Sequence, residues 1–416
     1  MMGRALRFCM ITTFYPPYNF GGDGIFVHRL ANALADRGHQ VDVIHSIDAY
    51  RLLARDEPDG SYENHPNVTV HGLRSRFGVF AALACHQASF PVLQSAQFRR
   101  ILMKDFDVIH YHNISLAGGA GILGFGRAIK LYTMHEFWLV CATHGLFRFN
   151  RAPCTTRHCL LCTLTYRRPP QWWRSFGLLR AAVKHVDLFI APSRFSRTKH
   201  QELGFDAPIA HLPHFVPWTV DVSSPNHQLE SDDLAQKPYF LFAGRLEKLK
   251  GLETIIPLFR NFPKARLLVA GTGTYEPRLR RLAGGNANIR FVGMVPGERL
   301  KRFYKNAVAL ICPSINFEIS PPLVILEAFS QKTPAIVRNL GSMPEAIEES
   351  GAGFVYDTNE ELLNAMNRLL ADPPYRRELG LRGIEACRRN WSLEVHMERY
   401  FALIRQAAAR GHVSDL

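Results

Sequence analysis

Two glutamates, Glu318 and Glu327, lie on either side of a predicted helix start at Pro322. Proline is tolerated at the first position of a helix, and the apolar stretch before Glu318 is typical of a buried strand. Free backbone N–H groups at a helix start, here those of Leu323 and Val324, bind phosphate with the help of the helix dipole. We interpret this segment as a nucleotide-sugar site in which the carboxylates hold sugar hydroxyls on either side of a diphosphate. The alternative is a strand–helix unit with two surface glutamates.

The sequence GRLEKLKG supplies two cations that could complete such a site. Arg245 follows a predicted strand, and Lys250 precedes the next predicted helix. An arginine can grip phosphate through two parallel hydrogen bonds, whereas a lysine supplies a point charge. Together with the helix start at Pro322, the two side chains can converge on one diphosphate. Taken alone, each would be interpreted as an ordinary exposed cation.

The first half of the chain also places polar residues at the ends of predicted strands. Gly21 and Gly22 lie in the turn after the first strand, where glycine lets the backbone approach a ligand closely. His110, His112 and His135 lie at or near the ends of two later strands, where ligands of open α/β sheets collect. His135, in the turn TMHEFW beside an acid, is the strongest candidate. The alternatives are a tight turn and structural histidines.

Four of the eight cysteines fall within 22 residues, with two histidines nearby. Tetrahedral zinc takes four thiolates, or three with one histidine, and a CxxC pair is a common half of such a site. The other two spacings do not match a standard finger pattern. A structural metal, free thiols and an iron–sulfur or redox centre therefore remain open. The residues concerned are Cys141, Cys154, Cys159, Cys162, His144 and His158.

Length and composition indicate a globular protein of two or three domains. The chain has 416 residues, of which 47% are hydrophobic and 21% charged. No run approaches the roughly 18 apolar residues that suggest a membrane span. The chain enters a predicted strand at Leu6 without a visible secretory signal, so we expect a cytoplasmic location. In that compartment the cysteines are expected to be reduced or metal-bound.

The net charge of +14 is distributed unevenly. Between residues 108 and 186 there are ten lysines or arginines and one acid, Glu136. Such a segment can face nucleic acid, an anionic membrane or a phosphorylated acceptor. Arginine and tryptophan intermix from Arg167 to Arg174, which favours a membrane interface. We therefore expect peripheral contact with an anionic membrane, and the alternative is a solvated basic face.

Strands and helices alternate in both halves of the sequence, which indicates an α/β protein with two Rossmann-like, doubly wound sheets. A segment rich in Pro, Ser, Asp and Asn, from Phe215 to Pro238, is interpreted as the linker between them. We assign residues 1–217 to an N-terminal, acceptor-side domain with a Cys-rich insertion at 141–162. Residues 218–391 form the C-terminal, nucleotide-sugar-binding domain. The last helix, 392–416, is expected to pack back on the first domain.

In their order and spacing, these motifs resemble those of the retaining glycosyltransferases of family 4, whose GT-B fold has two domains facing a central cleft. The resemblance covers nearly all of the chain. In the first half it depends on the Gly21-Gly22 turn and the HE turn at His135. In the second half it depends on GRLEKLKG, VAGTGTYEPRL, IRFVGMVP, CPSINFEISPPLVILEAF and GSMPEAI.

The resemblance implies a role for each matching position. Arg245 and Lys250 would neutralise the diphosphate leaving group. Glu318 would face the donor sugar, Glu327 would bind the nucleotide ribose, and His135 would lie against the sugar near the anomeric carbon. The domains would close over the donor, and catalysis would need no metal. One difference from the family is that eight residues, rather than the usual seven, separate the two glutamates.

We therefore expect an enzyme that transfers a sugar from a UDP- or GDP-sugar to a polysaccharide or lipid-linked saccharide, as in polysaccharide biosynthesis. One alternative is another GT-B enzyme, an inverting transferase or a sugar-nucleotide epimerase, and the ordered motifs of the second half argue against it. The other is a basic, Cys-rich nucleic-acid-binding protein without enzymatic activity. It would explain the charge and the cysteines but not the four charged site residues of the second half, so no nucleic-acid partner is expected.

Overall fold

The computed structural model describes residues 4–410, apart from residues 55–56, 59, 61, 157 and 217–236. The chain divides into two compact units, Met1–Leu212 with Met397–Leu416 and Pro213–His396. These limits lie within five residues of the boundaries assigned from the sequence. Most of the linker predicted from Phe215 to Pro238 lies outside the described residues, as does the end of the predicted last helix.

The first unit is built on a parallel sheet. The strands of this unit in chain order are β1 (Arg7–Ile11), β2 (Gln40–Ser46), β3 (Val68–Leu73), β4 (Val108–Tyr111), β5 (Ile129–Thr133), β6 (Phe147–Arg148), β7 (Ala152–Pro153), β8 (Leu188–Ala191) and β9 (Ile209–His211). Strands β6 and β7 form a separate antiparallel hairpin. Across the described part of the large sheet the order is β3-β2-β1-β4-β5-β8-β9. The order reverses between β1 and β4, which creates a switch point where doubly wound sheets bind ligands.

The helices of the first unit include one that the sequence did not predict. They are α1 (Gly22–Ala35), α2 (Ile47–Leu53), α3 (Val79–Ala88), α4 (Ser95–Leu102), α5 (Cys159–Thr165), α6 (Leu178–Val183) and α7 (Arg194–Glu202). From the sequence, residues 47–73 are expected to form a loop that ends in a short strand. This expectation is wrong at α2, which begins directly after β2. The Ser46 hydroxyl accepts a hydrogen bond from the Ala49 N–H at 3.1 Å and caps the helix. Its seven residues are too few to show a helical period, and buried Ile47 and Tyr50 anchor it instead.

The second unit contains a second parallel sheet. Its strands are β10 (Tyr239–Ala243), β11 (Arg266–Ala270), β12 (Ile289–Gly293), β13 (Leu310–Cys312), β14 (Ala335–Arg338) and β15 (Gly353–Tyr356). The described strands follow the order β12-β11-β10-β13-β14-β15, with its switch point between β10 and β13. Leu241 packs into one hydrophobic core and Phe242, the next residue of β10, into the other. Both faces of the sheet are therefore covered by apolar side chains.

The helices of the second unit are α8 (Leu252–Arg260), α9 (Glu276–Ala283), α10 (Gly297–Asn306), α11 (Leu323–Ser330), α12 (Met343–Ser350), α13 (Asn359–Ala371) and α14 (Pro373–Asn390). From the sequence, residues 360–390 are expected to be helical, but the structure has two helices there, with a break at Asp372. Its carboxylate accepts a hydrogen bond from the Tyr375 N–H at 2.9 Å, and two prolines follow it. Proline disfavours a helical conformation in the residue before it, so a new helix begins there.

The last helix, α15 (Leu393–Arg410), belongs to the first unit from Met397 onward. Tyr400 is buried there, and its hydroxyl lies 2.9 Å from Nδ1 of His110. Its ring stacks on Phe8 of β1 with 6.4 Å between centroids. His110, a candidate site residue at the end of β4, therefore has a structural contact. No described helix is both long and apolar enough to span a bilayer.

Candidate active site

The loops after β10 and β13 meet at the switch point of the second unit. Loop 244–251 carries the predicted cations, and loop 313–322 carries Glu318. The Ile315 N–H donates a hydrogen bond to the Leu249 carbonyl at 3.0 Å and joins the two loops. Gly251 has a φ of +73°, and a Cβ there would collide with the Pro313 carbonyl oxygen. Glycine is therefore required for the loops to approach this closely.

Lys250 and Glu318 form an ion pair across these loops. Nζ of Lys250 lies 2.7 Å from Oε1 of Glu318, which also accepts a hydrogen bond from the Ser314 hydroxyl at 2.6 Å. The lysine and glutamate side chains are 33% and 20% exposed, so a solute can reach both. A pair this exposed contributes about 1 kcal/mol or less to stability. Because an ammonium has three donors, Lys250 can keep Glu318 and still bind a phosphate oxygen.

Arg245 lies in the same loop and is held by its own neighbour. Its Nη2 is 3.0 Å from Oε1 of Glu247, and about half of its side chain is exposed. The other oxygen of Glu247 accepts a hydrogen bond from the Thr274 hydroxyl at 3.0 Å. The structure therefore places Arg245 and Lys250 in one loop, each paired with a carboxylate that steers it.

Glu327 is buried on α11, unlike a surface glutamate. Its Oε2 accepts a hydrogen bond from the Tyr304 hydroxyl at 3.0 Å. Burial raises the pKa of Tyr304 well above its ordinary value, and the charge of Glu327 raises it further, so the hydroxyl remains a donor. A buried carboxylate is costly unless it is hydrogen-bonded. The interpretation of both glutamates as surface residues therefore fails for Glu327.

The N-terminus of α11 is open. The helix begins at Leu323, with Pro322 before it, and its first turn contains no acidic residue. The backbone N–H groups of Leu323 and Val324 have no acceptor within the described part of the chain, and both residues are only partly buried. The positive end of the helix dipole is thus available to an anion, as the sequence predicts.

The GSMPEAI turn positions Glu318 through the backbone. Ser342 donates its N–H to the Glu318 carbonyl at 3.2 Å. Gly341 has a φ of +66°, and a Cβ there would lie 2.8 Å from the Glu318 nitrogen. The sequence indicates this turn only as a family motif. It gives no indication of Ser314 or Tyr304. Both are ordinary polar residues whose partners lie on other elements, so local spacing gives no signal for them.

The switch point of the first unit contains a chain of polar contacts. Thr13, just after β1, donates its hydroxyl to the Asn113 side chain at 3.2 Å, and Asn113 donates to Asp23 at 3.3 Å. Gly21 is the N-cap of α1 and Gly22 its first residue, so both predicted glycines adjoin Asp23. Burial raises the pKa of Asp23. The hydrogen bond from the Gly24 N–H lowers this pKa in part, and the nearby charge of Glu136 raises it. Asp23, Thr13 and Asn113 were not predicted.

His135 lies beside this series of polar contacts and contacts a second histidine. Its Nε2 is 2.9 Å from Nδ1 of His112, and its ring lies 5.5 Å from that of Phe26. Burial lowers the pKa of His135 to about 3, so its imidazole is neutral at physiological pH. The adjacent Glu136 is bonded to Nδ1 of His144 at 2.9 Å. His135 can therefore offer a neutral hydrogen-bonding group but not a positive charge.

The four clustered cysteines line one small, open pocket together with His158. Burial raises the pKa of the Cys154 thiol, and the charges of the three other thiols raise it further. The eight cysteines form no disulfide among the described residues. As placed, the described side chains form no metal-binding group of three or more.

Two doubly wound parallel sheets, one with two cations and an open helix terminus at its switch point, define the GT-B class of glycosyltransferases. Family models agree with this class. The model described as Glycosyltransferase Family 4 matches residues 20–218, and that described as Glycosyl transferases group 1 matches residues 227–386.

Curated relatives and solved structures agree. Alpha-maltose-1-phosphate synthase of Mycolicibacterium smegmatis is 24% identical, over 97% of this chain and 100% of that protein. D-inositol 3-phosphate glycosyltransferase of Corynebacterium diphtheriae is 26% identical, over 88% and 85%. Sucrose-phosphate synthase of Thermosynechococcus elongatus matches with a TM-score of 0.72 at 20% identity, over 97% and 99%. Anabaena HepE in complex with UDP matches with a TM-score of 0.66 at 15% identity, over 96% and 100%.

The chain belongs to glycosyltransferase family 4 and has its two-domain GT-B fold. The fold class and the family predicted from the sequence are therefore confirmed, as is the assignment as a glycosyltransferase.

Buried neutral histidines predict a loss of stability in acid. Burial lowers the pKa of His45 and His200 to about 4 and that of His135 to about 3, from 6.5. Below pH 6.5 the unfolded chain binds protons at these positions while the folded chain does not. The free energy of unfolding therefore decreases as pH falls. Each group contributes about 1.4 kcal/mol per pH unit down to its folded pKa.

Urea unfolding measured at intervals from pH 7 to pH 5 tests this expectation. The urea concentration at the unfolding midpoint should fall as pH falls. His200→Asn keeps a donor for the Ser196 carbonyl and should make the midpoint less dependent on pH. A midpoint that is constant or rises toward pH 5 would contradict the prediction.

Proposed function

We propose that the protein is a retaining glycosyltransferase whose second unit binds a UDP- or GDP-sugar at loops 244–251 and 313–322. The observation that carries the proposal is the solvent-accessible Lys250–Glu318 pair on these two loops, at the switch point of a sheet whose α11 has an open N-terminus. A site with cations, free N–H groups and a carboxylate suits a diphosphate joined to a sugar. The Anabaena structure in complex with UDP supports this donor class.

Each predicted residue has a task in this proposal. Lys250 and Arg245 neutralise the diphosphate as it leaves, and the N–H groups of α11 share its charge. Glu318 faces the donor sugar, held in place by the Ser314 hydroxyl and Lys250. Glu327 binds the nucleotide ribose and is oriented by Tyr304.

The proposed reaction proceeds on one face of the sugar. The leaving phosphate accepts the proton of the acceptor hydroxyl while the new glycosidic bond forms, so the anomeric configuration is retained. The protein contributes positioning and electrostatic stabilisation of an oxocarbenium-like state. These steps use only side chains and N–H groups of the chain.

The acceptor is proposed to be a polysaccharide or a lipid-linked saccharide, bound by the first unit. Its switch point offers neutral His135, together with Asp23 and Asn113, as hydrogen-bonding groups for sugar hydroxyls. The names of the curated relatives, a maltose-1-phosphate synthase and an inositol phosphate glycosyltransferase, support a polyhydroxylated acceptor.

We also propose that the first unit contacts an anionic membrane on the cytoplasmic side. Trp172 and Phe176 are 59% and 82% exposed, and Phe80 of the neighbouring α3 is 67% exposed. The Trp173 indole N–H donates to the His86 carbonyl at 3.1 Å and joins the Trp172–Phe176 turn to α3. Exposed cations flank the Trp172–Phe176 turn in the sequence: Arg167, Arg168, Arg180 and Lys184. Exposed apolar side chains with cations before and after them in the chain suit a bilayer with anionic headgroups.

Donor binding can be tested without knowing the acceptor. Thermal unfolding is measured with a panel of UDP-, GDP- and ADP-sugars, since a ligand that binds only the folded state raises the midpoint by mass action. At least one nucleotide sugar should stabilise the wild type, and Lys250→Ala should abolish most of that shift. If no nucleotide or nucleotide sugar stabilises the protein, the donor assignment is wrong.

Turnover should depend on the Lys250 cation and on the buried carboxylate of Glu327. With the donor so identified, Lys250→Ala and Glu327→Gln should each lower turnover at least about tenfold, as expected for losing a transition-state contact. Lys264→Ala is the matched control, because Lys264 is exposed and its Nζ contacts only the Asn367 side chain among the described residues. Wild-type rates in both site variants would exclude the assigned site.

Membrane contact should depend on the exposed aromatic residues. Wild-type protein is expected to sediment with vesicles containing anionic lipid at low salt and less so at high salt. Trp172→Ser combined with Phe176→Ser should weaken this binding at least about tenfold, because burying one such side chain is worth about 1.5–3 kcal/mol. Met294→Ser, which alters a side chain of the second unit that is 75% exposed, is the control. No sedimentation of wild-type protein at low salt would refute the proposal.

A further inference from the structure

The pocket formed by residues 141–163 brings together four thiols from one short segment of the chain. It is lined by Cys141, Cys154, Cys159, Cys162 and His158. The remaining cysteines of the chain are buried elsewhere in the two units. Cys141 and Cys154 are 13 residues apart in the sequence but line the same pocket, which their spacing alone did not reveal.

Local structure explains how the four thiols reach one pocket. The β6–β7 hairpin returns the chain, and the Cys154 N–H donates to the Leu146 carbonyl at 2.6 Å directly after it. Helix α5 carries Cys159 and Cys162 one turn apart, so both lie on the same side of the helix. The Phe149 N–H donates to Sγ of Cys162 at 3.4 Å, the kind of contact that orients a sulfur ligand.

This segment has little else to stabilise it. Leu146 and Phe147 are its buried large apolar residues, whereas three leucines of α5 are exposed: Leu160, Leu161 and Leu164. Four non-glycine residues of this segment adopt positive φ, which costs free energy that the surroundings must supply. They are His144, Leu146, Phe149 and Asn150. A segment with so small a core needs a cross-link or a metal to remain folded.

We propose that Cys141, Cys154, Cys159 and Cys162 bind one Zn²⁺ ion as a structural, four-thiolate site. As placed here, no three of the described groups form a metal site, so the thiols must move together to bind the ion. Four thiolates satisfy tetrahedral zinc completely, leaving no open position for catalysis. The site is separate from the donor-binding residues of the second unit.

The zinc would stabilise the turn that carries His135 and Glu136. The Cys141 N–H donates to the Phe137 carbonyl at 2.7 Å, and the Phe137 N–H donates to the His144 carbonyl at 2.9 Å. His144 in turn bonds Glu136 through Nδ1. Fixing Cys141 therefore fixes Phe137, the residue after Glu136, so the metal acts on the acceptor-side residues by positioning them.

Metal content of the purified full-length protein tests the site directly. After expression with added zinc and extensive dialysis, elemental analysis should give one zinc per chain. Cys159→Ser and Cys162→Ser should each lower the content at least fivefold, whereas Cys85→Ser should retain it. Cys85 is a fair control because its sulfur accepts only the Gly118 N–H among described contacts, and a serine oxygen can do the same.

Three results would overturn the proposal. The first is wild-type protein without stoichiometric zinc, including protein with iron and visible charge-transfer absorption in its place. The second is loss of zinc in His158→Ala with retention in one of the Cys→Ser variants, which would show three thiolates and one histidine. The third is tryptic cleavage at Arg148 and Arg151 that is equally slow with zinc and after its removal. The expected result is cleavage at least tenfold faster in the zinc-free protein and in Cys159→Ser.

Discussion

The constraint that organises both units is the burial of each parallel sheet on its two faces. In the second unit, successive residues of β10 enter two different hydrophobic cores, so this strand has no side on which an unpaired charge could be tolerated. The polar groups of the site therefore lie in the loops beyond the strand ends. At the switch point, adjacent loops diverge to opposite sides of the sheet and leave a crevice between them. Lys250 and Glu318 occupy such loops, after β10 and β13.

Within that crevice, every charged group is paired before any ligand arrives. Arg245 is paired with Glu247, Lys250 with Glu318, and Glu327 with the Tyr304 hydroxyl. The pairs differ in burial, and so in function. The two exposed ion pairs are weak and can share a cation with phosphate at little cost. The buried Glu327–Tyr304 contact is more expensive to break, because water cannot readily replace a hydrogen bond lost between buried groups. The first two contacts suit ligand exchange, and the third suits a fixed point of orientation.

The sequence predicted the architecture well because alternation of apolar segments and glycine turns encodes it locally. The strand ends at Arg245 and His135 and the helix start at Leu323 follow from the same local signals. What could not be predicted depends on contacts between distant segments. Tyr304 lies 23 residues before Glu327, and Thr13 lies 100 residues before Asn113. Helix α2 escaped prediction for another reason: its seven residues, about two turns, are too few for periodicity to be visible.

The eight-residue interval between Glu318 and Glu327 is best understood from how each glutamate is held. Glu327 is part of α11, and its carboxylate is located by Tyr304 on α10. Glu318 is held independently, by the Lys250 ammonium, the Ser314 hydroxyl and the close packing of Gly341 against its backbone. Because no contact of Glu318 depends on its distance in sequence from the helix, one added residue is absorbed in the loop before Pro322. Loops tolerate such a change at small cost, whereas the same insertion inside α11 would rotate Glu327 away from Tyr304. The position of each carboxylate is therefore set by its partners across the fold and not by the count of residues between them.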